Sequence, residues 1–299
     1  MKKSGQTSIS LPAGFSLLEL VLVCAILSAV LAAIFSGIST TIQRSQAEQT
    51  KVDLTQEGRE FVDEFERDLH QAGYPNCRMS GTTLLAAACP TDFSFNTLGE
   101  QYSGTAVGLV YVSNTKVIFE GAVDGSGTVY SIQYRLVDKD NNDPPTTACP
   151  CTLQRSEFPK NIANNLAPWA QGTNFSQELP NVVNSGVPGG ANPYGGGLPI
   201  FGNTKWGASN TAYYAAVATF KDYPVFQAYD QSGNIVTLPR DLSVSADSQT
   251  LSCAISSITC IKSLRLTINL LANSTTGADL QTNVRPVTTL VGTARLVNN

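Results

Sequence analysis

Two kinds of hydrophobic patterning divide this chain. From Leu17 to Phe35, 19 consecutive residues are apolar except Glu19 and Ser28. A helix of that length rises about 29 Å, close to the hydrocarbon thickness of a bilayer. No proline interrupts residues 15–72. Past Phe35 the pattern becomes one-sided. Leu54, Phe61, Phe65, Leu69 and Ala72 share one stripe at the helical period, while Asp53, Arg59, Asp63, Glu66 and Arg67 point elsewhere. The pattern predicts a single helix over residues 15–73, about 58 residues and roughly 87 Å long. It would span a membrane over about residues 17–38 and then lay its stripe on a globular core. Gly37 and Gly58 are positions where it can bend or loosen. Gly73-Tyr74-Pro75 ends it, a glycine followed by a proline. His70 falls on its solvated side.

Beyond Pro75 the period drops to two. Strands are expected at Val107–Val112, Lys116–Phe119 and Val129–Val137. In the last of these, Tyr130, Ile132, Tyr134 and Leu136 alternate with Ser131, Gln133 and Arg135. Asp124-Gly125-Ser126-Gly127 forms a turn. It is not a phosphate loop, because no Lys-Ser/Thr follows it. Residues 138–210 carry proline, glycine and amide clusters and are expected to be a long irregular insertion. Strands resume at Ala215–Phe220, Val225–Tyr229 and Ile235–Leu238, with Asp230-Gln231-Ser232-Gly233 as a turn. Leu264, Leu266, Ile268 and Leu270 form another alternating set, as do Leu290, Gly292, Ala294 and Leu296. These last two strands can bury their apolar faces on the Leu54-Phe65-Leu69 stripe. The expected fold class is α+β, with a long helix packed on an antiparallel sheet.

Composition narrows the compartment. Only 14% of the 299 residues are charged, which suits an exported β protein more than a cytosolic enzyme. Residues 1–14 hold Lys2 and Lys3 and no acid, so their removal takes the formal net charge from −4 to −6. That balance gives no reason to expect nucleic acid as a partner. Cys24 lies in the apolar span and serves as a small hydrophobe. Cys77, Cys89, Cys149, Cys151, Cys253 and Cys260 make an even set outside it and are candidate disulfide cysteines. Cys77 with Cys89 and Cys253 with Cys260 each bracket a short loop. Cys149 and Cys151 are too close to bond each other without strain. A metal site would need Cys-x-x-Cys spacing, and none occurs. Asp138, Asp140, Asn142 and Asp143 form an acidic-amide cluster without the Gly and closing Glu of a calcium loop. No cofactor is expected.

The beginning of the chain carries the most specific pattern. A polar leader ends at Gly14, then come Phe15-Ser16-Leu17-Leu18-Glu19 and the apolar run. An acid inside a membrane span costs roughly 2.5–3.5 kcal/mol even on lenient scales, so it calls for a partner. Cleavage between Gly14 and Phe15 would create an ammonium one turn from Glu19. An ordinary secretory leader is cut after its apolar core, whereas this cut would precede it and leave the anchor in place. The segment resembles the N-terminus of type IV pilins and type II secretion pseudopilins. The resemblance implies a leader over residues 1–14, cut after Gly14 by a prepilin peptidase that also N-methylates Phe15. It implies an assembly role for Glu19, a pilin-like fold, and a β-rich head over residues 74–299.

Downstream, Tyr130-x-Ile-x-Tyr-Arg-Leu, Thr152-Leu-Gln-Arg, Phe226-x-Ala-Tyr-Asp-x-x-Gly, Ile268-Asn-Leu and Arg295-Leu-Val-Asn are similar to minor pilins of the PilW type. Minor pseudopilins of the GspJ type are close relatives. The implied partners are the peptidase, other minor and major pilins, the inner-membrane assembly platform and membrane lipid. With Lys2 and Lys3 held in the cytoplasm, the implied location is the inner membrane, single-pass, with the head in the periplasm and later in a filament.

Three function classes follow. The first is a low-copy structural subunit that initiates or tips a type IV pilus, with a type II secretion pseudopilin as its alternative. The second is a tip adhesin, using Trp169, Tyr194 and Trp206 in the insertion. The third, an enzyme, is not expected, because one histidine supports no His-based triad.

Overall fold

In the computed structural model of the chain, the described residues are 16–75, 106, 108–125, 128–145, 151–160, 174–184, 224–241, 258–272 and 287–296. Gly14, Phe15, Cys77, Cys89, Cys149, Cys253, Trp169, Tyr194, Trp206 and the expected strand at Ala215–Phe220 lie outside them. The chain divides into two units, Met1–Gln46 and Ala47–Asn299.

Helix α1 runs from Leu17 to His70. Its apolar first part is long and apolar enough to span a membrane, and none of that part is buried. The expected end at residue 73 falls slightly earlier. Gln71–Gly73 form a turn, Gly73 adopts a φ of 75°, and Tyr74 N–H donates to the Gln71 carbonyl. This is the left-handed exit that glycine permits.

The strands are β1 (Leu109–Val112), β2 (Lys116–Gly121), β3 (Tyr130–Val137), β4 (Cys151–Pro159) and β5 (Ser176–Val182). They continue as β6 (Phe226–Tyr229), β7 (Ile235–Val236), β8 (Arg240–Asp241), β9 (Ser263–Leu271) and β10 (Val287–Arg295). Among the described residues they form one sheet in the order β7-β6-β9-β5-β4-β3-β2-β1-β8, with β10 paired to β9. Every pairing is antiparallel. The fold is therefore α+β, as the periodicities predict.

The region expected to be irregular is corrected in part. Residues 138–210 contribute β4 and β5, which sit in the middle of the sheet. Their sequences hide this. Position 155 of β4 faces the interior beside Tyr134 but is an arginine, so the apolar alternation breaks at its centre.

The sheet is strongly curled. Its two terminal strands, β7 and β8, are joined by only Thr237, Leu238 and Pro239, a link of at most about 15 Å. Phe226 N–H also donates to the Asn114 carbonyl, tying β6 to the β1–β2 turn. Within the curl lies the helical stripe. The Phe65 ring centroid is 5.2 Å from Tyr134 of β3 and 5.6 Å from Phe226 of β6. Four strand spacings separate β3 from β6 in the sheet order, about 19 Å if flat, so only a rolled sheet lets one ring touch both. Phe61, Phe65 and Leu69 are buried, each contributing roughly 1.5–3 kcal/mol of apolar transfer.

The C-terminal pair packs as expected. Along β9 and β10, Leu290 faces Ile268 and Ala294 faces Leu264. Gly58, expected as a weak point of the helix, is instead a point of close approach. A side chain there would run into Leu290 and Leu270, whereas Gly37 has open space around it. Ala72 and Gly121 form an isolated bridge. Gly73 N–H donates to the Glu120 carbonyl and Ala122 N–H to the Tyr74 carbonyl, so the helix exit zips onto the end of β2. Gly121 is required there, because a Cβ would press on the Gln71 carbonyl.

Candidate functional site

Two features stand out, one in each unit. The first is the exposed apolar part of α1. Leu17, Leu18, Leu22, Ile26, Val30 and Ile34 are exposed, and Ile38 and Ile42 continue the series. Three hydroxyls in this stretch are bonded within the helix itself. Ser28 donates to the Cys24 carbonyl, Thr40 to that of Ser36 and Thr41 to that of Gly37. Such back-bonding removes the cost of placing a hydroxyl in hydrocarbon.

Glu19 differs from them. Among the described residues its carboxylate has no hydrogen-bond or ion-pair partner. Its backbone N–H donates to the Ser16 carbonyl at 3.0 Å, and that of Leu20 to the same oxygen at 3.2 Å. Ser16 is thus the N-cap and Glu19 the third helical residue, the Ser-x-x-Glu spacing of a capping box. A carboxylate in a first turn is also favoured by the helix dipole. Glu19 therefore has a local reason to sit in a first turn, in addition to any intermolecular one.

The second feature is a polar clamp between the helix and the sheet. Asp68 is 1% exposed. Its Oδ2 accepts from Tyr134 Oη at 2.7 Å, from Arg155 Nε at 2.9 Å and from Arg155 Nη2 at 2.8 Å. Arg155 Nη2 also donates to Glu157 at 2.7 Å, and Nε lies 3.4 Å from Glu64. Burial raises the Tyr134 hydroxyl well above its ordinary pKa, and the neighbouring Asp68 charge adds to it. Burial raises Glu64 as well, with Arg155 opposing. For Arg155, burial works against the charge, but Tyr134 and Asp68 outweigh it and keep the guanidinium firmly protonated. Sequence reading missed this clamp. The one available clue was Asp68 itself, an acid immediately before Leu69 of the apolar stripe.

A second buried pair lies on the opposite face of the sheet. Lys160 Nζ donates to Glu120 Oε2 at 2.7 Å, and both side chains are fully buried.

The other candidate residues fall as follows. Cys151 is buried and disulfide-bonded, to a cysteine outside the described residues. Cys260, expected as half of a disulfide, is instead a buried thiol, packed where the short turn Ile258–Cys260 meets the core. His70 is exposed. The acidic-amide cluster is occupied internally. Asp138 accepts from the backbone N–H groups of Asp140 and Asn142 and from the Asn142 side chain. Asp140 pairs with Lys139, and Asp143 with Lys116, each at 2.8 Å. No family model, curated protein or solved structure matches the chain.

Proposed function

We infer that the protein is a minor subunit of a type IV pilus, made as a precursor and trimmed between Gly14 and Phe15. A prepilin peptidase cuts and N-methylates it. The mature chain waits in the inner membrane, anchored by the apolar part of α1, with its β-rich head in the periplasm. An assembly platform then moves the helix from lipid into a bundle of like helices among other minor and major pilins. There the Glu19 carboxylate pairs with a Phe15 ammonium and fixes the axial register, as one buried polar residue does in coiled coils.

One observation carries this reading: a single acid, one turn into the exposed apolar part of α1. Its burial in lipid costs roughly 2.5–3.5 kcal/mol, and pairing with an ammonium offsets that.

The test is mass spectrometry of the native protein's N-terminus. The expected chain begins at Phe15 and carries one extra methyl group. A chain beginning at Met1, in cells that trim their other prepilins, overturns the reading. Glu19→Gln separates the two roles of the residue. The amide keeps the size and place of the side chain in the first turn but carries no charge, so assembly is lost while trimming persists. Normal piliation by that variant removes the register role.

A further inference from the structure

We propose that the groove at the tip of the β1–β2 hairpin is a binding site for a neutral saccharide. It encloses about 260 Å³, enough for one sugar ring and part of a second. Tyr111 forms one side, from β1, and Pro144 and Pro239 form apolar edges. These rigid rings present carbon faces and, at the prolines, no N–H that would need a partner. A pyranose offers matching C–H faces.

The floor is made for hydroxyls. Ser113 Oγ contacts Thr115 and Lys116 at 3.3–3.4 Å, long for a hydrogen bond and so readily replaced, and it also hydrogen-bonds the Tyr111 side chain. The Asn114 side-chain amide makes no bond to the described residues, although its backbone carbonyl accepts from Phe226. An amide and two hydroxyls supply both donors and acceptors, which suits a ligand whose own groups are both at once.

Charge selects against ions. Lys116 Nζ lies 2.8 Å from Asp143 Oδ2 and 5.8 Å from the Tyr111 ring centroid. The one positive and one negative group lining the groove among the described residues are paired with each other, so neither is free to hold an ionic ligand. A proline-rich peptide would want parallel aromatic ridges, and among the described residues only one aromatic lines this groove.

The site stands apart from the assembly role, so the two proposals fail separately. The full chain, in phosphatidylcholine nanodiscs, is applied to immobilised neutral oligosaccharides ending in hexose or N-acetylhexosamine. Sialylated counterparts and a proline-rich peptide are included. The expected result is binding to a neutral glycan that barely changes from about 50 to 500 mM salt. Asn114→Ala and Tyr111→Ala each weaken it by about tenfold or more, while Tyr111→Phe retains it. Asn114→Ala removes an amide that makes no bond to the described residues, so it decides the matter if Tyr111→Ala misfolds. Any of three results overturns the proposal: no neutral glycan bound above empty nanodiscs, preference for the sialylated glycans or the peptide, or binding that Asn114→Ala leaves unchanged.

Discussion

Arg155 Nη2 lies 2.8 Å from Asp68 Oδ2 across 87 positions of sequence, joining the last turns of α1 to the centre of β4. Because Asp68 is almost wholly buried, the pair is costly to break from one side. Arg155→Met should destabilise the head by about 3–5 kcal/mol, since it strands a buried carboxylate. Replacing all three partners, Asp68→Leu with Arg155→Met and Tyr134→Phe, should cost clearly less than the single change. Denaturant unfolding of the full chain in micelles measures both. A single variant within 1 kcal/mol of the parent, roughly the worth of a surface pair, would contradict the clamp.

Tyr134 gives the clamp a pH signature. Its folded hydroxyl is held well above the ordinary value of 10.0, first by burial and then by Asp68. In the unfolded chain the phenol loses its proton near that ordinary value. Above it the unfolded state therefore binds fewer protons than the folded state, and stability falls as pH rises. Below it the phenol is protonated in both states and contributes no slope. The parent should lose stability from about pH 10 upward, and Tyr134→Phe should flatten that slope. At pH 7 the same variant should cost about 1.5–3 kcal/mol, the worth of a hydrogen bond to a charged acceptor. An alkaline slope equal in both proteins would refute the assignment.

The long helix, the turn at Asp230–Gly233 and the alternating strands β3, β9 and β10 are legible in the sequence because an unbroken apolar run, a turn-forming cluster or a period-two alternation marks each. The turn appears in the structure as read. Asp230 accepts from the N–H groups of Ser232 and Asn234, and Gly233 takes a φ of 81°. What escapes sequence reading is every place where a polar residue faces inward. Arg155 breaks the alternation of β4, and Ser131, Gln133 and Ser156 are buried on the far face of the sheet. A polar residue in a strand reads as solvent-facing: the partner that lets Arg155 turn inward, Asp68, lies 87 positions away, and Ser131 Oγ, Gln133 Oε1 and Ser156 Oγ are buried with no hydrogen-bond partner among the described residues. Gly58 escapes for a related reason, since propensity marks a glycine as a helix weakness whatever packs against it.

Lys160 and Glu120 provide a second test of buried charge, with no tyrosine involved. β2 and β4 are separated by β3, so this pair spans a strand, with both side chains fully buried. Lys160→Met should cost about 3–5 kcal/mol. Adding Glu120→Gln, which removes the stranded charge, should restore part of that loss. If the double variant proves no more stable than Lys160→Met alone, the stranded carboxylate is not the source of the loss.

Gly58 allows a change of sign to be tested. In an exposed helix Gly→Ala is worth about 1 kcal/mol of added stability. Here a Cβ would meet Leu290 and Leu270 of the C-terminal strand pair, and overfilling a packed site costs typically 1–3 kcal/mol. Both obstructing atoms are terminal methyls; Leu270 is fully buried and has little room to shift, while Leu290 is partly buried and packed against the core. Gly58→Ala should therefore be net destabilising by about 1 kcal/mol. Leu290→Ala opens the space, so in that background the same substitution should become neutral or stabilising. The coupling between the two sites should reach about 1–2 kcal/mol, as for residues in direct contact. Additive costs would place the helix further from β10 than the packing at Gly58 requires.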